Sequence, residues 1–126
     1  MNLVDSSGWL EYFTSEPNAE FFAPAIEDTS QLIISPINLF EVFKVILREK
    51  GEGEALIVIA AMQQGKLVEF DTTIALSAAK LSLELKIPMA DSIILATARN
   101  YNAILWTQDS DFENIPGVKF VKKKGK

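Results

Sequence analysis

Leu32-Ile33-Ile34-Ser35-Pro36-Ile37-Asn38-Leu39-Phe40-Glu41 is the stretch that decides the fold. Three branched apolar residues in succession have the near-continuous hydrophobicity of a strand covered on both faces, as strands of parallel sheets are. Ser35 and Pro36 then supply an N-cap and a proline at the first helical position, where the missing N–H costs nothing. A buried strand thus runs directly into a helix, read as Ile37 to Lys50.

The same alternation recurs on both sides. Met1 to Val4 is an apolar run ending at Asp5 and Ser6, a strand entering a helix that passes through Trp9 to Phe13 and stops before Pro17. A second helical segment surrounds Phe21 to Ile26. Gly51 and Gly53 break the helix after Lys50, Ala55 to Gln64 forms another closed by Gly65, and Leu67 to Phe70 reads as a third strand. Thr72 or Thr73 caps a helix reaching Leu85, and Pro88 marks the next boundary. Asp91 to Asn100 is helical, and Ala103 to Thr107 and Val118 to Val121 are strands. Apolar strands separated by helices predict an α/β chain: three α/β/α layers around a mostly parallel sheet of about five strands. Ligands of such sheets sit beyond the carboxyl ends of the strands, near a topological switch point.

A length of 126 residues predicts one domain, 1–126, with residues 122–126 (Lys-Lys-Lys-Gly-Lys) as a basic, solvated tail that frays or contacts phosphate. No apolar run approaches the ~20 residues of a membrane span. The start, MNLVDSS, lacks the features of a secretory signal, and the chain has no Cys, so a reducing cytoplasm is the expected location. The absence of His matters more. With 0 His and 0 Cys, triad nucleophiles, His general bases and typical zinc sites are excluded. Chemistry is left to Asp, Glu, Lys, Tyr, Ser or Thr, or to a hard cation held by oxygens. The net charge of -5 suits solubility, or acidic ligands whose local sign reverses when a cation binds.

Four carboxylates map to one sheet edge. Asp5 follows the first strand, Glu41 lies on the helix after the second, Asp109 comes two residues after the fourth, and Asp91 opens the helix leading into the fourth. Each has a plain structural explanation. Asp5 and Asp91 are good helix caps. Glu41 aligns with Lys44 and Arg48 at helical spacing and so belongs to a solvated stripe, or to a groove in which Lys44 and Arg48 meet phosphates. Ser110 and Glu113 have capping-box spacing and open the next turn themselves, which leaves Asp109 spare. Singly the four are weak; their shared strand-end placement is not.

These residues and their surroundings resemble the PIN-domain nucleases, most closely the VapC-type toxins of toxin–antitoxin pairs. The matching pieces are Asp5-Ser6-Ser7, Ser35-Pro36-Ile37-Asn38-Leu39-Phe40-Glu41, Pro88-Met89-Ala90-Asp91-Ser92-Ile93-Ile94-Leu95-Ala96-Thr97-Ala98 and Thr107-Gln108-Asp109-Ser110-Asp111-Phe112, in family order over nearly the whole chain. The segment around Asp91 is the most specific. The fourth acidic position is assigned to Asp109, nearer the strand end, with Asp111 beside it in the same motif. The resemblance implies a PIN-like α/β/α fold, Mg²⁺ or Mn²⁺ dependence, cleavage of RNA phosphodiesters, a cognate antitoxin and a homodimer.

Residue chemistry adds a mechanism. Crowded carboxylates repel one another unless a cation neutralises them, and an all-oxygen set selects Mg²⁺ or Mn²⁺. Asp5 and Asp91 are expected as principal ligands, with Glu41 and Asp109 completing the shell or holding a second ion; Ser6 and Thr107 are candidates to orient them. Trp9, Phe13, Phe21 and Phe22 are read as core, or in part as an apolar patch for a protein partner. Two rivals stand beside the nuclease: a non-catalytic PIN-like module binding RNA or protein, and a receiver-like domain phosphorylated on Asp71.

Overall fold

A computed structural model describes residues 1–124; Gly125 and Lys126, the end of the basic run, lie outside the described residues. Among the described residues, five strands and six helices follow in the order β1 (Asn2–Val4), α1 (Ser6–Phe13), α2 (Ala19–Glu27), β2 (Leu32–Ile34), α3 (Pro36–Lys50), α4 (Glu52–Met62), β3 (Lys66–Leu67), α5 (Thr72–Leu85), α6 (Met89–Asn100), β4 (Ile104–Thr107) and β5 (Val118–Phe120). Short 3-10 turns cover Thr29–Gln31 and Ser110–Phe112. The strands form one sheet in the order β3-β2-β1-β4-β5, and every pairing is parallel.

Strand pleating sorts the side chains into two cores. Val4, Leu32, Ile34 and Trp106 face one side, where they pack with Trp9 of α1, Phe22 and Ala25 of α2, Val42 and Ile46 of α3 and Ala55, Val58 and Met62 of α4. Leu3, Ile33 and Leu105, their neighbours along each strand, face the other side and meet Ile94, Leu95 and Ala98 of α6. Ile74 and Ala78 of α5 pack on Ile93 and Ala96 to complete that layer. Trp9 and Phe22 are fully buried, while Phe13 and Phe21 are half-buried against them. Gly8 sets how closely α1 lies on this core: an added Cβ would stand 2.6 Å from the Phe22 ring and 2.7 Å from Val4.

Most departures from the expected boundaries have local causes. β3 spans two residues rather than Leu67 to Phe70, because β2, its one neighbour in the sheet, leaves at Ser35 for α3; after Val68 N donates to Ile34 O (2.9 Å) no strand remains to pair. Gly51, at φ 89°, makes the break between α3 and α4 by itself, and Gly53 lies inside the first turn of α4. The cap of α5 is Asp71, whose carboxylate accepts from Ile74 N (2.9 Å), and not Thr72 or Thr73. This also gives Asp71 a structural task. Lys122, where sequence alone begins a frayed tail, is held: Val121 N donates to Thr107 O (3.1 Å) and Asn18 Nδ2 donates to Lys122 O (3.1 Å). No helix among the described residues is long and apolar enough to cross a membrane.

Candidate metal centre

The strand order places the switch point between β1 and β4, since the chain runs outward from β1 through β2 to β3 and then crosses back to β4. Asp5 and Thr107 emerge there side by side: Val4 pairs with Trp106 in register, and Asp5 N donates to Trp106 O (2.9 Å).

Asp5 occupies the N-cap position of α1 with extended backbone, and its carbonyl accepts from Gly8 N and Trp9 N. Its carboxylate makes no capping bond. Instead Oδ2 accepts from Ser7 Oγ and Thr107 Oγ1, each at 2.9 Å, and no donor among the described residues meets Oδ1. Thr107 Oγ1 also accepts from Asp109 N (3.0 Å), so one hydroxyl fixes two acidic residues. Asp109 is not spare as a cap: its Oδ1 accepts from Asp111 N (2.9 Å) and starts the Ser110–Phe112 turn. That turn is what brings Asp111 back toward the sheet. Asp91 sits in the first turn of α6, follows Pro88 at the N-cap and caps nothing itself. Seven consecutive buried residues, Ser92 to Ala98, anchor the helix behind it. One carboxylate oxygen from each of Asp91, Asp109 and Asp111 lies within 4.8 Å of the others.

Glu41 reaches the same edge from α3. Asn38 completes the capping box with Ser35 and donates through Nδ2 to Ser6 Oγ (3.2 Å); Ser6 Oγ in turn donates to Glu41 Oε1 (2.7 Å). Lys44 lies with Nζ 5.8 Å from the centroid of the exposed Phe40 ring, and Arg48 pairs with Glu49 at 3.0 Å on an exposed surface.

Electrostatics tie the group together. Burial pushes the Asp5 carboxyl up to about 6; hydrogen bonds from Ser7 and Thr107 oppose the rise, and the charges of Asp109 and Glu41 add to it. Asp91 is pushed up to about 8, first by burial, then by a hydrogen bond shared with Asp111 and by the charges of Asp109, Asp5 and Asp111. Like charges crowded in a partly dry site keep protons they would lose in water. No Lys or Arg among the described residues forms an ion pair with any of these five carboxylates. The donor set is therefore all oxygen, in excess of its counter-charge, with Asp5 Oδ1 open: a set that fits a hard divalent cation such as Mg²⁺ or Mn²⁺.

The arrangement differs in emphasis from the sequence reading. The tight triplet contains Asp111, ranked there as an auxiliary, while Asp5 and Glu41 join from outside it. Ser7 and Asn38 went unnoticed as positioning residues. Asn38 had a legible signal, since an amide at the third helical position after Ser35 completes a capping box. A buried network of Glu11, Asn18 and Gln108 beside the cluster left no trace in periodicity: Glu11 accepts from Asn18 N and from Gln108 Nε2, both at 2.9 Å, and Asn18 Nδ2 donates to Gln108 Oε1 (2.9 Å).

No curated protein matches the sequence. Solved structures do. A toxin–antitoxin complex from Klebsiella pneumoniae contains a chain 28% identical, with a TM-score of 0.79 over 94% of this chain and 96% of that one. A DNA-bound VapBC from Salmonella typhimurium is 19% identical, with a TM-score of 0.75 over 97% and 98% of the two chains. A sarcin-ricin loop cleaving VapC toxin from Mycobacterium tuberculosis is 16% identical, with a TM-score of 0.75 over 99% and 100%. A sequence model of the PIN domain matches residues 3–118, from β1 to the start of β5, and takes in every carboxylate of the cluster; the chain belongs to the PIN domain family.

Proposed function

We propose that this chain is a divalent-metal-dependent endoribonuclease and the toxin of a VapBC-type toxin–antitoxin pair. The observation that carries the reading is the convergence of Asp91, Asp109 and Asp111 within 4.8 Å at the switch point, with Asp5 buried beside them and short of a hydrogen-bond donor. The likeness to a Klebsiella toxin–antitoxin chain and to a sarcin-ricin loop cleaving toxin supports the choice of substrate and partner.

In this reading Asp91, Asp109 and Asp111 hold the cation, with Asp5 and Glu41 completing the acidic shell. When bound, Mg²⁺ or Mn²⁺ supplies an activated water and neutralises charge on the phosphate oxygens. The chain's own contribution is placement. Thr107 fixes Asp5 and the backbone of Asp109 together, the Asn38–Ser6 relay aims Glu41, and the buried α6 keeps Asp91 from shifting. Lys44 and Arg48, one and two turns along α3 from Glu41, are the residues proposed to meet substrate phosphates. An antitoxin partner, a homodimer and a cytoplasmic setting belong to the same proposal.

Purified protein is expected to cut RNA with Mg²⁺ or Mn²⁺ and to stop on addition of EDTA. Cleavage that persists in excess chelator would overturn the metal-dependent reading.

A further inference from the structure

Two open grooves, of about 720 and 460 Å³, flank the sheet edge next to the carboxylates, and both are lined by Ser7, Gln108 and Lys123. The larger adds Lys124 together with Glu11, Glu16 and Glu49, and the smaller adds Lys122 with Asp109 and Glu113, so the lysines are the cations on otherwise acidic walls. They adjoin the acidic cluster directly, because Ser7 donates to Asp5 and Asp109 belongs to the triplet.

The lysines enter this position from a fixed point. Asn18, only 2% exposed, donates through Nδ2 to Lys122 O (3.1 Å) while Glu11 holds its N–H and Gln108 shares its amide. A buried polar network thus sets where the lysine run leaves the sheet. Its placement stands out against the charge of the chain: four of the twelve basic residues fall in the last five positions of a protein with net charge -5.

We infer that Lys122, Lys123 and Lys124 form a subsite for the phosphate backbone of a single RNA strand leading to the carboxylate cluster, held in place by Asn18, Gln108 and Glu11. The inference rests on the ribonuclease reading and names how that site takes its substrate. An acidic cluster repels a polyanion except at the cation itself, so affinity must come from counter-charge alongside. Consecutive lysines distributed over two contiguous grooves suit the repeated charges of a phosphodiester chain. An RNA strand is favoured over an acidic protein segment because the smaller groove opens onto Asp109, where the proposed chemistry acts on a phosphodiester.

The test is binding of a fluorescein-labelled oligouridylate, followed by anisotropy over a KCl series with Ca²⁺ in place of Mg²⁺. The K122Q/K123Q/K124Q variant changes only exposed side chains. It is expected to bind about tenfold or more weakly at low salt and to flatten the plot of log Kd against log [KCl] by about 2, near 0.7 per lost contact. In cleavage assays its KM rises while kcat holds. Asn18→Ala, which keeps every lysine but frees the segment, is expected to weaken binding in the same direction. An unchanged Kd and salt slope in the triple variant, or no binding by the wild-type protein at any salt, overturns the subsite. So does a variant that loses only an Asp/Glu-rich peptide and keeps RNA. Wild-type protein that cuts RNA with a lysine-independent KM defeats this inference alone; lysine-dependent binding without any cleavage defeats the ribonuclease reading alone.

Discussion

Two carboxylates of the α1 segment, Asp5 at its N-cap and Glu11 in its last turn, are buried to the same degree, each 5% exposed, yet they face opposite situations. Glu11 has a donor for each oxygen: Asn18 N meets Oε2 and Gln108 Nε2 meets Oε1, both at 2.9 Å. Asp5 has two donors crowded on Oδ2, none among the described residues on Oδ1, and acidic neighbours in Asp109 and Glu41. A buried charge that is fully hydrogen-bonded by amides is a structural member of the fold. One left short of donors among other acids marks the candidate cation site on which the proposed function rests. Burial alone does not separate structure from function here; the partners do.

The widest expected gap between the two regions comes from paired substitutions. Asp91→Asn removes one carboxylate from the cluster and is expected to lower RNA cleavage by about a thousandfold or more, with a melting temperature equal to or above wild type, because it also removes a charge held against burial. Glu11→Gln is expected to do the reverse. It sets an NH₂ against an N–H donor, costs about 1–3 kcal/mol of stability, and leaves divalent binding intact. Thermal melts and initial rates on both variants check this, and a Glu11→Gln protein that is stable but metal-blind would erase the distinction.

Protonation gives a second handle. Burial pushes the folded Asp5 carboxyl up to about 6 from its ordinary 3.8, so between these values the native state holds a proton the unfolded chain has released. The stability this carries is present at low pH and is lost as pH rises through about 6, with Asp91 extending the decline through about 8. In EDTA, wild type is therefore expected to lose ground to Asp5→Asn between pH 5 and pH 8, by about 1.4 kcal/mol, most of it below about pH 6.5. Saturating Mn²⁺ at pH 8 is expected to reverse the order. Parallel melting curves in EDTA would mean that Asp5 carries no such strain.

The smallest effect sharpens the role of positioning. Thr107→Val keeps the size of a buried side chain but releases both Asp5 Oδ2 and Asp109 N. Its expected cost is about 10- to 100-fold in metal affinity, with cleavage recovered at high Mn²⁺. A loss of kcat that metal does not rescue would place Thr107 closer to the reacting phosphate than to the ligands.

The sequence is most legible where one residue's type and its neighbours decide the structure. Leu32 to Ile34 and Leu105 are apolar because both sheet faces are covered, and Ser35-Pro36 starts α3 by local chemistry. Asp5, Glu41, Asp91 and Asp109 can be placed at one edge because each lies next to a strand end or opens a helix that leads there. What depends on pairing across the chain is not visible. Asn18 and Gln108 are 90 residues apart, and neither shows from its surroundings that it will be buried with Glu11. Asp111 joins the triplet only because Asp109 caps a 3-10 turn, a geometry that Ser110 and Glu113 mask at the level of sequence. β3 is short because its neighbour ends, a fact about β2 that residues 67–70 do not contain.

Calorimetric titration of the metal-free protein with Mn²⁺ addresses the central claim without reference to any substrate. Saturable uptake in wild type, abolished in Asp91→Asn and retained in Glu11→Gln, is the predicted result. Folded wild-type protein that takes up no Mn²⁺ or Mg²⁺ at millimolar concentration would contradict it.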